Sequence, residues 1–278
     1  MTTATNGTTR IEFESFGDPA APVILLINGL GSQMTRWPED FCGRLTAKGY
    51  RAVRFDNRDT GKSTWFGEGD HYSLSDMVAD AVAVLDAVGA AKAHIAGVSM
   101  GGMIAQALAI EHPERVLSLT SIMSATGAPG TLDSTPEAGA VLTQPAPNPE
   151  ADYEAFLDHQ VRNATVIGSP GFPWPEGGLR ERAVAEYERA FNPTGPARQM
   201  AAIRGDGDRT ERLGKLTVPT VVLHGADDPL VPPAGGQATA RAITGAELRL
   251  IPGMGHDLPP ALFATIADAI LSAVARAG

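Results

Sequence analysis

The chain has 278 residues, 43% of them hydrophobic and 19% charged, a balance that fits one large α/β domain or a core with an insertion. The formal net charge of −10 argues against nucleic acid or an anionic membrane as a partner. Cys42 is the single cysteine, so no intramolecular disulfide can form; the first ten residues hold no apolar signal-like run and no stretch is long enough to span a bilayer, which makes a cytoplasmic protein the expectation.

In chain order, residues 11–16 alternate apolar and polar side chains and predict a half-buried strand before the turn Gly17-Asp18-Pro19. Residues 23–27 are apolar without a break, as in a parallel strand covered on both faces. They run into Asn28-Gly29-Leu30-Gly31-Ser32, where glycines let backbone amides face a ligand. Residues 51–55 predict the next strand. Ser73 then reads as a helix N-cap with Asp76 in the first turn, and Met77, Val78, Ala81, Val82, Leu85 and Val88 mark one helical face closed by Gly89. Residues 93–98 narrow from an apolar run to Gly97-x-Ser99-x-Gly101 and pass into a helical pattern over 103–111. That is the layout of a nucleophile elbow, a sharp strand-to-helix turn that holds a serine hydroxyl out of the fold. Residues 116–123 add one more strand. Strands alternating with helices over this length imply a mostly parallel sheet wrapped on both faces, the α/β class.

From about residue 125 the composition turns to Ala, Gly, Pro and Thr, and residues 125–150 predict a connection without regular structure. Two helical patterns follow, through Tyr153, Phe156, Leu157 and Val161 and through Leu179, Ala183, Tyr187 and Phe191, with a proline-stiffened loop carrying Phe172 and Trp174 between them. Arg180, Arg182, Glu186 and Glu188 read as a solvated helix face. The sheet pattern resumes at 220–223 and 247–251, and a closing helix runs through Leu262, Ile266, Ile270 and Val274. The expected organisation is a core of residues 1–124 and 217–278 with 125–216 inserted as a cap.

A serine hydroxyl is a weak nucleophile at neutral pH and needs a base, the base needs an orienting carboxylate, and the developing oxyanion needs fixed donors. After the strand 220–223 comes Asp227-Asp228, on the rim where open α/β sheets bind ligands; after 247–251 comes Gly253-Met254-Gly255-His256, a loop free to bring an imidazole to the serine. Ser, Asp, His is the chain order expected of this fold. The other histidines are read as packing or surface residues: His94 lies in a core strand, His224 ends another, and no histidine, cysteine or carboxylate spacing suits a metal. Asp56 and Arg58 are read as an ion pair fixing their loop.

Trp37-Pro38, residues 55–63, Val98-Ser99-Met100-Gly101 and residues 251–256 together resemble the α/β-hydrolase superfamily over essentially the whole chain, and within it the small capped esterases around the aclacinomycin methylesterases. The resemblance implies Ser99 as nucleophile, His256 as base and, from the spacing Gly225-x-x-Asp, Asp228 rather than Asp227 as the orienting carboxylate. It also implies an oxyanion hole from the backbone N–H groups of Leu30 and Met100. One departure is that many relatives carry His-Gly where this chain has Asn28-Gly29. The expected activity is cofactor-free and metal-free hydrolysis of carboxylic esters, methyl esters among them, of bulky apolar small molecules, with Phe172, Trp174 and Met254 as pocket walls. Oligomeric state is left open. The same triad also serves carbon–carbon hydrolases, lactonases and perhydrolases, and a hydrolase-fold receptor with little turnover is the alternative from another class.

Overall fold

In the computed structural model, which describes residues 2–278, eight strands form a single sheet. The strands are β1 (Thr2–Asn6), β2 (Thr9–Phe16), β3 (Val23–Ile27), β4 (Arg51–Phe55), β5 (Ala93–Val98), β6 (Val116–Ile122), β7 (Thr220–Gly225) and β8 (Glu247–Ile251), in the spatial order β1-β2-β4-β3-β5-β6-β7-β8. β1 and β2 form an antiparallel hairpin, β2 runs antiparallel to β4, and every other pair is parallel. The parallel strands β3, β5 and β7 are buried at every residue, as a sheet covered on both faces requires, and β3 is apolar without a break. The period of two is visible in the packing of β3: Leu25 and Ile27 enter the cluster on one face with Leu85 and Leu108, while Ile24 and Leu26 enter the opposite one with Phe41 and Phe263.

The first face is covered by α2 (Leu74–Ala87) and α3 (Met100–Glu111), the second by α1 (Glu39–Thr46) and α10 (Phe263–Ala275). The start of α2 follows from its sequence, because Ser73 accepts from the Asp76 N–H at 3.2 Å while the Asp76 carboxylate takes the Ser73 N–H at 2.8 Å. Since β3, β5, β7 and β8 are parallel, the loops that follow them gather on one rim of the sheet.

Between β6 and β7 the chain leaves the sheet through α4 (Pro136–Thr143), α5 (Tyr153–Ile167), α6 (Gly178–Arg189), α7 (Gly195–Asp206) and α8 (Thr210–Leu213); α9 (Pro233–Ala242) lies between β7 and β8. The stretch 125–150, expected to lack regular structure, contains α4. Its signal is Thr135, which accepts from the Ala138 N–H at 3.2 Å, with Pro136 in the first turn. α7 also escaped the periodicity reading, because Gly, Ala and Pro leave little apolar contrast between its faces. α5 and α6 pack through Phe156, Leu157 and Ala183, ringed by Tyr153, Tyr187 and Phe191.

Two electrostatic expectations are corrected. Asp56 and Arg58 do not pair: the fully buried Asp56 carboxylate accepts from the Met34 N–H at 2.7 Å and binds Arg189 of α6 at 2.7 Å, while Arg58 binds Asp80 at 2.6 and 2.8 Å. Nor is α6 simply solvated there. Glu186 pairs with Arg36 of the core, and Arg182 is half-buried with its guanidinium 4.6 Å over the Trp174 ring. Side chains three and four apart on one helix share a face, and periodicity alone does not say that a charged face meets another layer.

Candidate active site

Ser99 stands between β5 and α3 with φ +56° and ψ −122°, a backbone conformation that costs a non-glycine residue about 1–3 kcal/mol. Hydrogen bonds hold it there: its N–H donates to the Ile122 carbonyl at 2.9 Å, and its carbonyl accepts from Gly102 at 2.9 Å and Met103 at 3.2 Å. The flanking glycines are required by space. A Cβ on Gly97 would overlap the Gly101 carbonyl, and one on Gly101 would overlap the Ile27 carbonyl of the neighbouring strand. The turn leaves the Ser99 side chain partly accessible between the buried Val98 and Met100.

His256, in the loop after β8, places Nε2 2.9 Å from Ser99 Oγ and Nδ1 2.7 Å from Asp228 Oδ2. A carboxylate only accepts, so Nδ1 carries the proton and Nε2 is left to accept from the serine. The other Asp228 oxygen accepts from the Leu230 and Val231 N–H groups, both at 2.9 Å, which fixes the carboxylate in the tight turn after β7. Asp227 turns the other way, is exposed, and accepts from the Gly253 N–H at 2.6 Å. Adjacent side chains on this turn thus meet opposite surroundings, and only Asp228 reaches the imidazole.

The histidine loop is clasped by the insertion. The His256 N–H donates to the Ile167 carbonyl at 2.7 Å, the Gly255 N–H to Ser169 Oγ at 2.9 Å, and the Gly171 N–H to the Gly253 carbonyl at 2.8 Å. Asp257 accepts from Ser169 Oγ at 2.5 Å and from the Trp174 indole N–H at 2.8 Å. Neither Ser169 nor Asp257 was singled out from the sequence. Their one local signal is that Asp257 follows His256.

The loop after β3 comes against the serine from the other side, where a Cβ on Gly29 would lie 3.2 Å from Ser99 Cβ. The N–H groups of Leu30 and of Met100, the first residue of α3, have no protein partner among the described residues. Asn28 is fully buried; its side-chain amide donates to the Phe55 carbonyl at 3.2 Å and its backbone carbonyl accepts from the Asn57 side chain at 3.0 Å. The loop is therefore tied to the end of β4 by amide side chains.

The three residues expected to line a pocket part company. Trp174 borders a cleft of about 640 Å³ between the insertion and the loops bearing Asp227 and Asp257. Phe172 is half-buried and packs against the cluster beneath the sheet. Met254 has no exposed surface and belongs to that same cluster with Val98 and Ile122, a correction to its expected place in a pocket wall. Cys42 is fully buried and burial pushes its thiol up to about 12, so it is no nucleophile. Among the described residues no three His, Cys, Asp or Glu side chains group to hold a metal ion, and no helix is long and apolar enough to cross a membrane.

His94 and His224 are buried packing residues. His94 Nδ1 lies 2.9 Å from Ser118 Oγ; His224 Nε2 donates to the Val231 carbonyl at 2.8 Å and so braces the turn that orients Asp228. Burial lowers the pKa of His94, and burial lowers that of His224 against the opposing pull of the Val231 carbonyl and Asp228. In the unfolded chain each would take a proton near pH ~6.5. The unfolded state then binds more protons than the folded one, so stability should decline as the pH drops below about 6.5. Thermal midpoints at neutral and mildly acidic pH should show this fall, and His94→Gln should flatten part of it. A midpoint independent of pH over that interval would contradict the assignment.

A hydroxyl aligned on an imidazole, a carboxylate behind the imidazole, and two free N–H groups beside the hydroxyl form an arrangement able to attack a carbonyl and hold the resulting oxyanion. Comparisons with known proteins show the family. The sequence profile of the alpha/beta hydrolase fold matches residues 22–259. The chain is 31% identical to the rhodomycin D methylesterase DauP of Streptomyces sp. (strain C5) over 279 residues, covering 92% of each chain. It is 31% identical to the rhodomycin D methylesterase DnrP of Streptomyces peucetius over 287 residues, covering 96% of this chain and 95% of that one. Its backbone is similar to a meta-cleavage product hydrolase from Pseudomonas fluorescens IP01 with a TM-score of 0.80 at 20% identity, covering 100% of this chain and 98% of the other.

Proposed function

Because this chain belongs to the alpha/beta hydrolase fold family and is an ester hydrolase, we propose that it cleaves methyl esters of bulky, apolar carboxylic acids through an acyl-enzyme on Ser99. The observation that carries the mechanism is the line Asp228–His256–Ser99, with contacts of 2.7 and 2.9 Å. His256 Nε2 takes the Ser99 proton as Oγ attacks the ester carbonyl, and the Leu30 and Met100 N–H groups receive the oxyanion. His256 then protonates the departing alcohol, and a water activated by the same nitrogen releases the acid. Asp228 keeps the imidazole in the needed tautomer and stabilises the cation that forms. The substrate class rests on the methylesterase relatives; the cleft beside Trp174 opens next to the histidine loop at Asp257, and Ser99 and His256 are not part of its lining.

The proposal is tested by incubating the purified protein with a polycyclic methyl ester, p-nitrophenyl acetate, a lactone and a vinylogous diketone. Methanol release from the first at a kcat/KM above that for the others is the expected result. Turnover of the diketone alone would assign the triad to carbon–carbon cleavage, and binding without turnover would assign it to a receptor. Trp174 sharpens the test. Trp174→Ala should raise KM for the polycyclic ester by about 10–100-fold, equivalent to ~1.4–2.7 kcal/mol of lost contact, while leaving KM for p-nitrophenyl acetate near the wild-type value. Phe172→Ala should instead lower thermal stability and affect both esters alike. An equal rise in KM for the two esters in Trp174→Ala would remove that ring from the binding surface.

A further inference from the structure

The turn that carries the Leu30 donor is held by a residue of the insertion more than 160 positions away. The Ser32 N–H closes the turn on the Gly29 carbonyl at 3.2 Å, with Leu30 and Gly31 at its centre. Gly31 has φ +66° and Leu30 does not lie in the positive region, the pattern of a type II turn. Type I and type II turns differ by about a half-rotation of the central peptide. The Leu30 N–H belongs to the preceding Gly29–Leu30 peptide, so holding the central peptide anchors Leu30 from its C-terminal side and keeps its N–H from moving with the turn.

Gln199, in α7, settles that choice. It is fully buried, and its Oε1 accepts from the Gly31 N–H at 2.7 Å. Its Nε2 donates to the Arg58 carbonyl and to Thr60 Oγ1, each at 2.8 Å. A carbonyl can only accept and a backbone N–H can only donate, so the amide has one permitted orientation and its oxygen must face Gly31. The flipped turn would bring the Leu30 carbonyl against that oxygen and strand two buried polar groups without partners. α7 itself cannot drift from the turn. Pro196 lies 3.2 Å from the position a Gly31 Cβ would take, Arg198 binds the Asp59 carboxylate at 2.7 and 2.9 Å, and a Cβ on Gly195 would overlap the Asp59 carbonyl. Burial pushes the Asp59 carboxyl up, but Arg198, the Phe66 N–H and the Tyr72 hydroxyl outweigh it and hold the group below its ordinary value, so this anchor stays charged.

We infer that Gln199 is a positioning residue for the oxyanion hole, reaching from the insertion to fix the Leu30–Gly31 peptide; the inference rests on the Leu30 and Met100 donors proposed above. An oxyanion donor displaced by about 1 Å forfeits much of its effect on the transition state while leaving substrate binding nearly unchanged.

The test compares wild-type protein with Gln199→Met, which keeps side-chain length and loses all three hydrogen bonds. An arylboronic acid is the probe: Ser99 Oγ bonds to boron, its proton passes to His256, and the boron becomes tetrahedral with an oxygen directed at the hole. With p-nitrophenyl acetate, Gln199→Met should lose about 10–100-fold in kcat with KM changed by less than about threefold. Boronate affinity should weaken by a similar factor. Gln199→Asn, polar but one methylene too short to reach Gly31 while anchored, should show the same selective loss. Arg115→Met, which removes hydrogen bonds to Asp86, Ala90 and Ala91 at the far end of β6, serves as the structural control and should lower the melting temperature with boronate affinity retained. Wild-type kcat and boronate affinity in the Gln199 variants overturn the inference, as does failure of both to fold, which would assign Gln199 to the scaffold alone. An Arg115→Met variant that loses boronate affinity equally also overturns it. If wild-type protein itself takes no boronate at Ser99, the serine mechanism falls, and this inference with it.

Discussion

Ser99→Ala is expected to lower ester turnover by about 10⁴–10⁶-fold with the fold intact. The variant removes Oγ alone, the atom 2.9 Å from His256 Nε2. It adds no backbone cost, because alanine and serine bear the φ of +56° equally badly and the Ile122, Gly102 and Met103 hydrogen bonds are all made by the main chain. The melting temperature should therefore stay close to that of the wild-type protein. Mass spectrometry after treatment with an organophosphonate should find one adduct on the wild-type chain, at Ser99, and none on the variant. An adduct that survives the substitution would show that another group is the nucleophile. Residual turnover well above the uncatalysed rate would fit the Leu30 and Met100 donors acting on bound ester with water as the attacking group.

Asp228→Asn is expected to lower kcat by about 10⁴-fold, because it reverses the imidazole tautomer. One Asp228 oxygen accepts two backbone N–H groups at 2.9 Å, and the asparagine carbonyl would take over that role. The asparagine NH₂ then faces His256 Nδ1 across 2.7 Å, where a donor forces Nδ1 to accept and moves the ring proton to Nε2. A protonated Nε2 can no longer receive the serine proton. Asp227→Asn retains an oxygen for the Gly253 N–H and should cost little in rate or stability. Steady-state rates for the two variants, with folding checked by circular dichroism, decide the matter. Loss of activity in Asp227→Asn with Asp228→Asn unaffected would make Asp227 the orienting carboxylate.

The insertion touches the surroundings of Ser99 from two sides. Through Ile167, Ser169 and Trp174 it holds the loop that carries His256, and through Gln199 it holds the turn at Leu30 and Gly31. Buried or half-buried ion pairs from Arg189 to Asp56 and from Arg198 to Asp59 fasten α6 and α7 to the loop after β4. Removing one partner of such a pair leaves a charge in a dry site, so these contacts resist separation more than exposed ion pairs would. A part of the chain that a sequence reading treats as a cover for substrate therefore also belongs to the frame around Ser99.

What the amino-acid sequence determined by itself is whatever neighbouring residues can encode. The unbroken apolar run of β3, the capping box before α2, and the glycines on either side of Ser99 each act within a few residues, and each element was legible for that reason. The order of Ser99, Asp228 and His256 along the parallel strands belongs here too, because the loops after such strands share one rim whatever their distance in the chain. The partner of each polar side chain was decided elsewhere. Asp56 beside Arg58 invited a local pair, yet the carboxylate binds Arg189, 133 residues on. Ser169 meets Gly255 across 86 residues, Gln199 meets Gly31 across 168, and Met254 turned into the core instead of the pocket. Hydrogen bonds and buried charges are satisfied by whichever group the packed layers bring within about 3 Å, and that proximity exists only after the sheet, its helices and the insertion have closed on one another.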